Sequence, residues 1–194
     1  SASNGPSLTN IDISDNVFSG PLPIQLLSSP HIETFSASKN CFNIALLNNH
    51  LCFHQHLQVL VMDGIAAGST CKGQLWDPLG IFGNSYFLAN GFGTIPDCVW
   101  DMPALTTLHL SGNGLTGNIE SAKLLPSSEL YSLSLSHNRL TGTIPGSIKE
   151  YLLNFNEFDV SHNRFSGSLD ARRSNNTLFV NNEDIDLSVN RFSG

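Results

Sequence analysis

Histidines and carboxylates that recur at a regular spacing are the side chains of this sequence that could do chemistry. His137 and His162 stand in identical Ser-His-Asn triplets, with His109 and Asp159 at related positions of the same pattern. Imidazole binds transition metals, but such sites need about three or four converging ligands. We therefore predict no metal site, and a contact whose strength changes near the histidine pKa is the milder hypothesis.

A pair of carboxylates offers a second possibility. Glu157 and Asp159 flank Phe158, so in a strand both point to the same side, as an acid and a base would require. An open sheet, however, does not exclude water from such a pair. The serines recur with the repeat rather than beside a base, and the sequence has neither a glycine-rich phosphate loop nor a Cys-x-x-Cys pair. We predict a protein without catalysis and without a cofactor.

These residues belong to a repeat that runs along almost the whole chain. In LTTLHLSGNGLTGNI, residues 105–119, Leu108 and Leu110 alternate as in a strand. Similar stretches begin at nearly equal intervals, at Leu8, Ile32, Leu57, Phe82, Leu105, Leu130, Phe155 and Asn182. A nearly fixed period of this size indicates a solenoid, here of about eight coils. We expect residues 1–194 to form one domain, as part of a longer chain.

Each column of the repeat has a physical role. The third and fifth positions after each start, such as Leu108 and Leu110, point inward from one strand per coil, and the strands stack as a parallel sheet. The asparagine column, which includes Asn113 and Asn138, can satisfy backbone groups at the turn because an amide both donates and accepts hydrogen bonds. The repeat therefore predicts both the core and the turn of each coil.

The pattern L-x-x-L-x-L-S-x-N-x-L-T/S-G-x-I/L-P, seen best at Leu8–Pro23 and Leu130–Pro145, resembles the plant-type leucine-rich repeat (LRR). That class includes receptor-like kinase and receptor-like protein ectodomains, polygalacturonase inhibitors and some ice-binding proteins. The resemblance implies an α/β fold: a right-handed superhelix with a parallel sheet on its concave face and short helical, 3-10 or irregular segments on its convex side.

Composition limits the classes of partner and the cellular compartments that the protein could have. The net charge of −7 and the lack of a basic patch argue against nucleic acid, and no apolar run is long enough to span a membrane. Four cysteines allow two disulfides; their coil positions favour Cys41–Cys52 and Cys71–Cys98, with free thiols in a reducing compartment as the alternative. Asn175 begins the only glycosylation sequon. We expect an extracellular, cell-surface or cell-wall protein.

The least regular stretch is residues 63–93, where Ile65 stands in the asparagine column. It could be an inserted segment. The step from Leu57 to Leu105 is, however, twice the ordinary step, which is the length of two ordinary coils. We therefore interpret this stretch as two coils of the solenoid, the second of which begins near Phe82.

The variable positions between the inward residues are those that are free to bind a ligand. On the concave face they run from an apolar and aromatic middle, through a histidine cluster, to an acidic end. The candidate ligand-binding residues are Val61, Tyr86, Leu88, His109, Ser134, His137, Glu157, Asp159 and His162. An amphipathic strip with an aromatic anchor is typical of an interface hot spot.

Two functional hypotheses follow. The first is a non-catalytic extracellular recognition module that presents its concave LRR surface to a protein, peptide or glycan, as the resemblance to receptor ectodomains and inhibitors implies. The alternative is an ice-binding or cell-wall structural LRR protein. An ice surface favours a uniform array with few charges, whereas the central concave column varies from Asp12 through Val61 to His109. This variation favours the first hypothesis.

Overall fold

The computed structural model describes residues 8–23, 26–27, 29–44, 51, 55–66, 71, 93–124, 128–169 and 184–193. Its regular elements are β1 (Asn10–Asp12), β2 (Ser19–Pro21), β3 (Thr34–Ser36), β4 (Cys41–Ile44), β5 (Val59–Val61), β6 (Thr107–His109), β7 (Ser132–Ser134), α1 (Gly146–Tyr151), β8 (Glu157–Asp159), β9 (Ser166–Gly167), β10 (Ile185–Asp186) and β11 (Arg191–Phe192). Residues Asp97–Asp101 and Leu152–Asn154 form 3-10 helices. No helix in these ranges is long and apolar enough to cross a membrane.

One parallel sheet organises the molecule. Its strand order is β1-β3-β5-β6-β7-β8-β10, and neighbouring strands pair in register. The middle residue of each strand faces the core: Leu60, Leu108, Leu133 and Phe158 are fully buried. Each coil thus contributes one short strand and stacks its apolar side on the next coil. The predicted α/β LRR solenoid with a parallel sheet is confirmed.

The predicted number of coils is wrong. Strand β5 pairs directly with β6, with Leu60 opposite Leu108, so no strand from the coil predicted near Phe82 lies between them. The sheet has seven strands within the described residues rather than the eight expected. The long step between Leu57 and Leu105 is therefore one coil plus additional residues. Residue counting failed because the extra length happens to equal one repeat.

A second line of backbone contacts marks where the additional residues enter. We call this side, where β2 pairs with β4 and β9 with β11, the lateral edge. The amide of Phe42 donates to the carbonyl of Ile65, and the amide of Thr116 donates to the carbonyl of Gly93. The coil that begins at Leu57 therefore keeps its lateral contacts at both Ile65 and Gly93. Residues 67–92 lie between these two points, and of them the structure describes Cys71 alone.

The asparagine column performs the predicted role. The Asn138 side-chain amide donates to the carbonyls of Leu110, Leu135 and Ser136, at 2.9, 2.9 and 3.2 Å. Its oxygen accepts the Leu115 amide at 2.9 Å. Asn40, Asn113, Asn163 and Asn190 make equivalent bonds. These bonds satisfy backbone groups that the short strands leave unpaired.

The residue before the asparagine column adopts a left-handed backbone conformation, including Gly64, which precedes Ile65. This column is Asp15, Lys39, Gly64, Gly112, His137, His162 and Val189, with φ between 51° and 68°. Residues other than glycine adopt this region at some cost in energy. The side chains of this column therefore project from a tight turn at the rim of the sheet.

The predicted cysteine pairing is wrong. Cys41 is bonded to Cys71, with the Cα atoms 5.3 Å apart, so neither Cys41–Cys52 nor Cys71–Cys98 forms. Cys98 is disulfide-bonded as well. The error follows from the coil count: pairing by coil position assumed that Cys71 and Cys98 lie in neighbouring regular coils. In the structure, the Cys41–Cys71 bond instead ties the additional residues to β4 at the lateral edge.

Candidate functional site

The concave face consists of the side chains that flank the buried residue of each strand, together with those at the second position beyond the strand. The described members of the first column are Asn10, Thr34, Val59, Thr107, Ser132, Glu157 and Asp184. The second column is Asp12, Ser36, Val61, His109, Ser134, Asp159 and Asp186. The third is Ser14, Ser38, Asp63, Ser111, Ser136, Ser161 and Ser188.

His109 lies at the centre of a polar network that crosses this face. Its Nε2 atom is 2.7 Å from the Ser132 hydroxyl and 3.2 Å from the Glu157 carboxylate. The Ser132 hydroxyl donates to Glu157 at 2.9 Å. Because a hydroxyl has a single proton, Nε2 of His109 must then donate to Ser132. The network thus fixes the orientation of the imidazole across β6, β7 and β8.

Asp63 closes the network on its other side. One carboxylate oxygen accepts the Ser111 amide at 2.7 Å, and the other lies 3.9 Å from Nδ1 of His109. Burial raises the pKa of the Asp63 carboxyl, and the charges of Glu157 and Asp159 act in the same direction. The Ser111 hydrogen bond and the charge of His109 oppose this rise. Asp63 is therefore a carboxylate held among other acids with one imidazole beside it.

The network is only partly covered. The exposed fraction of the side chain is 19% for His109, 35% for Asp63 and 41% for Glu157. We call these three residues, with Ser132, the His109 network. Its members come from four consecutive coils and are bound to one another, yet each charged side chain can still reach solvent. A ligand on the concave face would meet a fixed set of polar atoms.

Serines surround the His109 network and are largely buried. The Ser111 and Ser134 hydroxyls are 2.7 Å apart, and the Ser136 hydroxyl donates to Ser111 at 3.1 Å. Ser134, which the sequence suggested as a ligand residue, is 7% exposed. Its hydroxyl contacts Ser111, as that of the equally buried Ser132 contacts His109.

His137 and His162 form a stacked pair at the rim of the sheet. Their ring centroids are 4.1 Å apart with an angle of 17° between the rings. Burial lowers the pKa of His137, and the neighbouring His162 lowers it further, while Asp159 and Asp186 raise it. Among the described residues, no group of three or more His, Cys, Asp or Glu side chains could hold a metal ion.

The structure brings some of the predicted site residues together and separates others. Val61 pairs with His109 across β5 and β6, and Glu157 contacts His109. Asp159 instead accepts the amide of Ser161, at 2.9 Å. The stacked histidines His137 and His162 lie in the turn column beyond the strands. The predicted residues Tyr86, Leu88 and Asn175 lie outside the described residues.

Asp63 and Ser132 are functional candidates that the sequence predictions missed. The sequence nevertheless carried a signal for Asp63: every other described coil has serine at this position of the repeat. Asp63 keeps the serine's role, because its oxygen accepts the amide of the next coil as Ser38 accepts the amide of Asp63. Its second carboxylate oxygen, which a serine lacks, lies near Nδ1 of His109. A residue that departs from an otherwise uniform polar column was the available clue.

Charge is unevenly distributed over this surface. In the described part of the three concave columns there are six acidic residues and no Lys or Arg: Asp12, Asp63, Glu157, Asp159, Asp184 and Asp186. The pKa of Asp186 is lowered because its carboxylate accepts a hydrogen bond from the Ser188 amide. The concave face is thus negative at neutral pH, and His109 lies among its acids.

The sequence matches a leucine-rich-repeat family model at residues 104–122 and 129–150. No curated protein matches the chain. The structure is similar to the LRR ectodomain of the membrane receptor kinase GASSHO1/SCHENGEN3 from Arabidopsis thaliana, which was solved in complex with Casparian strip integrity factor 2. The identity is 29% and the TM-score 0.69, over 95% of this chain and 19% of that one.

Two further solved structures show the same fold. A TDR receptor is 24% identical with a TM-score of 0.68, over 95% of this chain and 27% of that one. A pollen receptor kinase 3 is 20% identical with a TM-score of 0.65, over all of this chain and 79% of that one. The chain thus spans about a fifth to a quarter of the length of the first two receptors. The matched repeats and the stacked parallel sheet show the leucine-rich-repeat fold.

Proposed function

We propose that this LRR solenoid is a non-catalytic extracellular recognition module that binds a peptide segment on its concave face. The peptide carries a cationic group that docks against Asp63 and Glu157. The observation that carries the proposal is the His109 network, in which polar atoms from four consecutive coils are fixed by mutual hydrogen bonds and remain partly exposed. Preorganised polar groups bind at a lower entropic cost than mobile ones.

Charge supports a cationic partner. The concave columns hold acids without Lys or Arg in their described part, so an anionic ligand would be repelled. A Lys or Arg side chain, or a peptide N-terminus, could approach Glu157 and Asp63 from solvent while His109 donates to Ser132. The receptor from Arabidopsis with 29% identity was crystallised with a bound factor, which supports a ligand-binding role for a solenoid of this kind.

The disulfides support the extracellular setting. Cys41–Cys71 and the oxidised Cys98 suit an oxidising compartment, because cytosolic thiols are kept reduced. A catalytic role is not supported by the geometry. Glu157 and Asp159 lie on an open face, and Asp159 is already committed to the Ser161 amide.

The proposal is tested with an array of synthetic extended peptides of varied charge, probed with the purified chain. We expect the wild type to select peptides with Lys or Arg, and Asp63→Ser and Glu157→Gln each to weaken that binding by about tenfold, since a charged hydrogen bond is lost in each variant. Asp63→Ser restores the residue that the other coils carry, so the fold is retained.

Asp12→Asn is the matched control, because Asp12 lies on the same face in the first coil, far along the sheet from His109. It removes the same charge and should leave binding within about twofold. If Asp12→Asn weakens binding as much as Glu157→Gln, the effect is one of net charge and the site is wrong. A preference for acidic peptides would reject the cationic partner.

A further inference from the structure

The last three coils carry a short motif that the other coils lack. It reads HNRLTG at residues 137–142, HNRFSG at 162–167 and VNRFSG at 189–194. Arg139, Arg164 and Arg191 therefore occupy one column of the repeat. Its members in the other described coils are uncharged: Val17, Cys41, Ala66 and Gly114. A search for adjacent basic residues misses this column because its members stand a full repeat apart in the sequence.

Stacking brings these arginines together on the lateral edge. The amide of Arg164 donates to the carbonyl of Leu140 at 2.8 Å, and that of Arg191 donates to Phe165 at 2.7 Å, so each arginine is held to the coil before it. The flanking columns give the step between coils. The rings of His137 and His162 are 4.1 Å apart, and those of Phe165 and Phe192 are 6.5 Å apart. The backbone thus sets the three arginines in a row, about one coil apart, with Arg164 and Arg191 exposed and Arg139 half-buried.

The row has cationic character despite the net charge of −7. Three of the nine Lys and Arg residues of the chain lie in it. Arg164 and Arg191 are exposed, and neither forms an ion pair with a carboxylate in the described part of the chain. Of the described acids in these coils, Glu157, Asp159, Asp184 and Asp186 lie on the concave face, and Glu150 lies in α1. The two faces of the last coils therefore have opposite charge, with His137 and His162 on the boundary between them.

We propose that this arginine row is a binding surface for a linear acidic polysaccharide, one that bears carboxylate groups at regular intervals along its chain. It is distinct from the concave site. A guanidinium presents a planar fork of donors that matches a carboxylate, and a row of them at fixed intervals suits a polymer with repeated charges. The neighbouring column is Thr141, Ser166 and Ser193, whose short side chains leave room for a polymer to lie along the edge.

The surroundings of the row disfavour a peptide or a nucleic acid. The amides of Thr141, Ser166 and Ser193 already donate to the preceding coil, so a peptide cannot add as a further strand. Single-stranded nucleic acid needs exposed aromatic rings for base stacking. Phe165 is fully buried and Phe192 is partly buried against the core. The row thus presents repeated positive charge without exposed aromatic rings in its described part, which suits a uronate polymer.

The experiment measures binding of the purified chain to alginate, a linear carboxylated polysaccharide, and to neutral dextran. We expect the wild type to bind alginate at low salt, to bind dextran at least about tenfold more weakly, and to lose alginate binding as salt screens the charges. The double variant Arg164→Gln/Arg191→Gln should weaken alginate binding by about tenfold or more. Its circular dichroism and its unfolding midpoint should match those of the wild type, because both side chains are exposed.

Lys39→Gln/Lys123→Gln is the matched control, since it removes the same charge from exposed positions outside the row. It should change alginate binding by less than about twofold. An equal effect of the two double variants, or no binding of alginate by the wild type at low salt, overturns the proposal. Tighter binding of poly-L-glutamate or of a single-stranded oligonucleotide than of alginate also overturns it, because the partner would then be of another class.

Discussion

The coil that begins at Leu130 and the coil that begins at Leu57 stabilise the turn after the strand in different ways. In the first, Asn138 satisfies three carbonyls at the turn, and His137 occupies the left-handed position. In the second, Ile65 is buried where Asn would be expected, and Gly64 precedes it. The second coil also contains residues 67–92 and is tied to its neighbour by the Cys41–Cys71 bond.

The difference shows that a coil can replace the hydrogen bonds of its asparagine with other stabilising contacts. The regular coil is held by hydrogen bonds from its own asparagine. The irregular coil is held by apolar packing of Ile65 and by a covalent bond, and its turn amide at Ile65 donates to Asn113 of the next coil. It also carries Asp63, the member of the serine column that is not serine. The departures from the repeat thus coincide with the His109 network.

The largest expected effect breaks the regular coil. Asn138→Ala should reduce the free energy of unfolding by about 4 kcal/mol, because several buried backbone groups lose their partner at once. Urea unfolding followed by circular dichroism measures the change. Asn16→Ala is the control: its amide donates to Ile13 and Ser14, but Asn16 is exposed, so water can replace it at a cost under about 1 kcal/mol. Equal losses in the two variants would show that burial does not set the role of the column.

The next effect breaks the irregular coil. Cys41→Ser/Cys71→Ser should cost about 3 kcal/mol, because the bond closes a loop with a sequence separation of 30. Hydrogen exchange locates the loss, which we expect in residues 55–66 and not in residues 130–169. A uniform loss of protection along the solenoid would contradict the idea that the two coils are held independently.

The smallest effect sharpens the comparison at the left-handed position. The pKa of His137 is lowered in the folded state by burial and by His162, against the opposing charges of Asp159 and Asp186. The stabilisation from neutral His137 is therefore complete above about pH 6.5 and is lost as the pH falls from there towards its lower folded pKa. His137→Gly, which copies Gly64 and Gly112, should remove this part of the pH dependence.

Unfolding midpoints of both proteins between about pH 7 and pH 5 measure the effect, which we expect to be under about 1 kcal/mol. The comparison uses the slope with pH and not the absolute stability, because glycine also relieves the cost of the left-handed backbone. A slope that is unchanged in His137→Gly would assign the pH dependence to other groups.

The regular coils could be predicted from the sequence because each position has one physical role that recurs. The alternation at Leu108 and Leu110, the asparagine bonds and the stacking of His137 on His162 all follow from the period. Stacking of equivalent positions is a local rule, so it can be applied wherever the repeat is recognised.

The irregular coil could not be predicted, because its contacts depend on which strands become neighbours. Counting residues cannot distinguish two coils from one coil with additional residues, and that error also produced the wrong partner for Cys41. The contact between Asp63 and His109, which are distant in sequence, has the same origin. This contact forms because β5 and β6 are neighbours in the sheet, and no local sequence pattern predicts that pairing.

The pairing of β5 with β6 also has a consequence for the order in which the chain folds. Elsewhere in the sheet a strand finds its neighbour after a single repeat, but Leu60 must find Leu108 across twice that length of chain. Doubling a loop adds only about 0.6 kcal/mol to the entropic cost of closing it, so the longer loop has little effect on the stability of the folded protein. Folding rates are more sensitive, because contacts between distant residues form slowly. We expect the coils from Leu105 onward to fold as one nucleus and the seam at β5 to close last, which makes the His109 network a late product of folding.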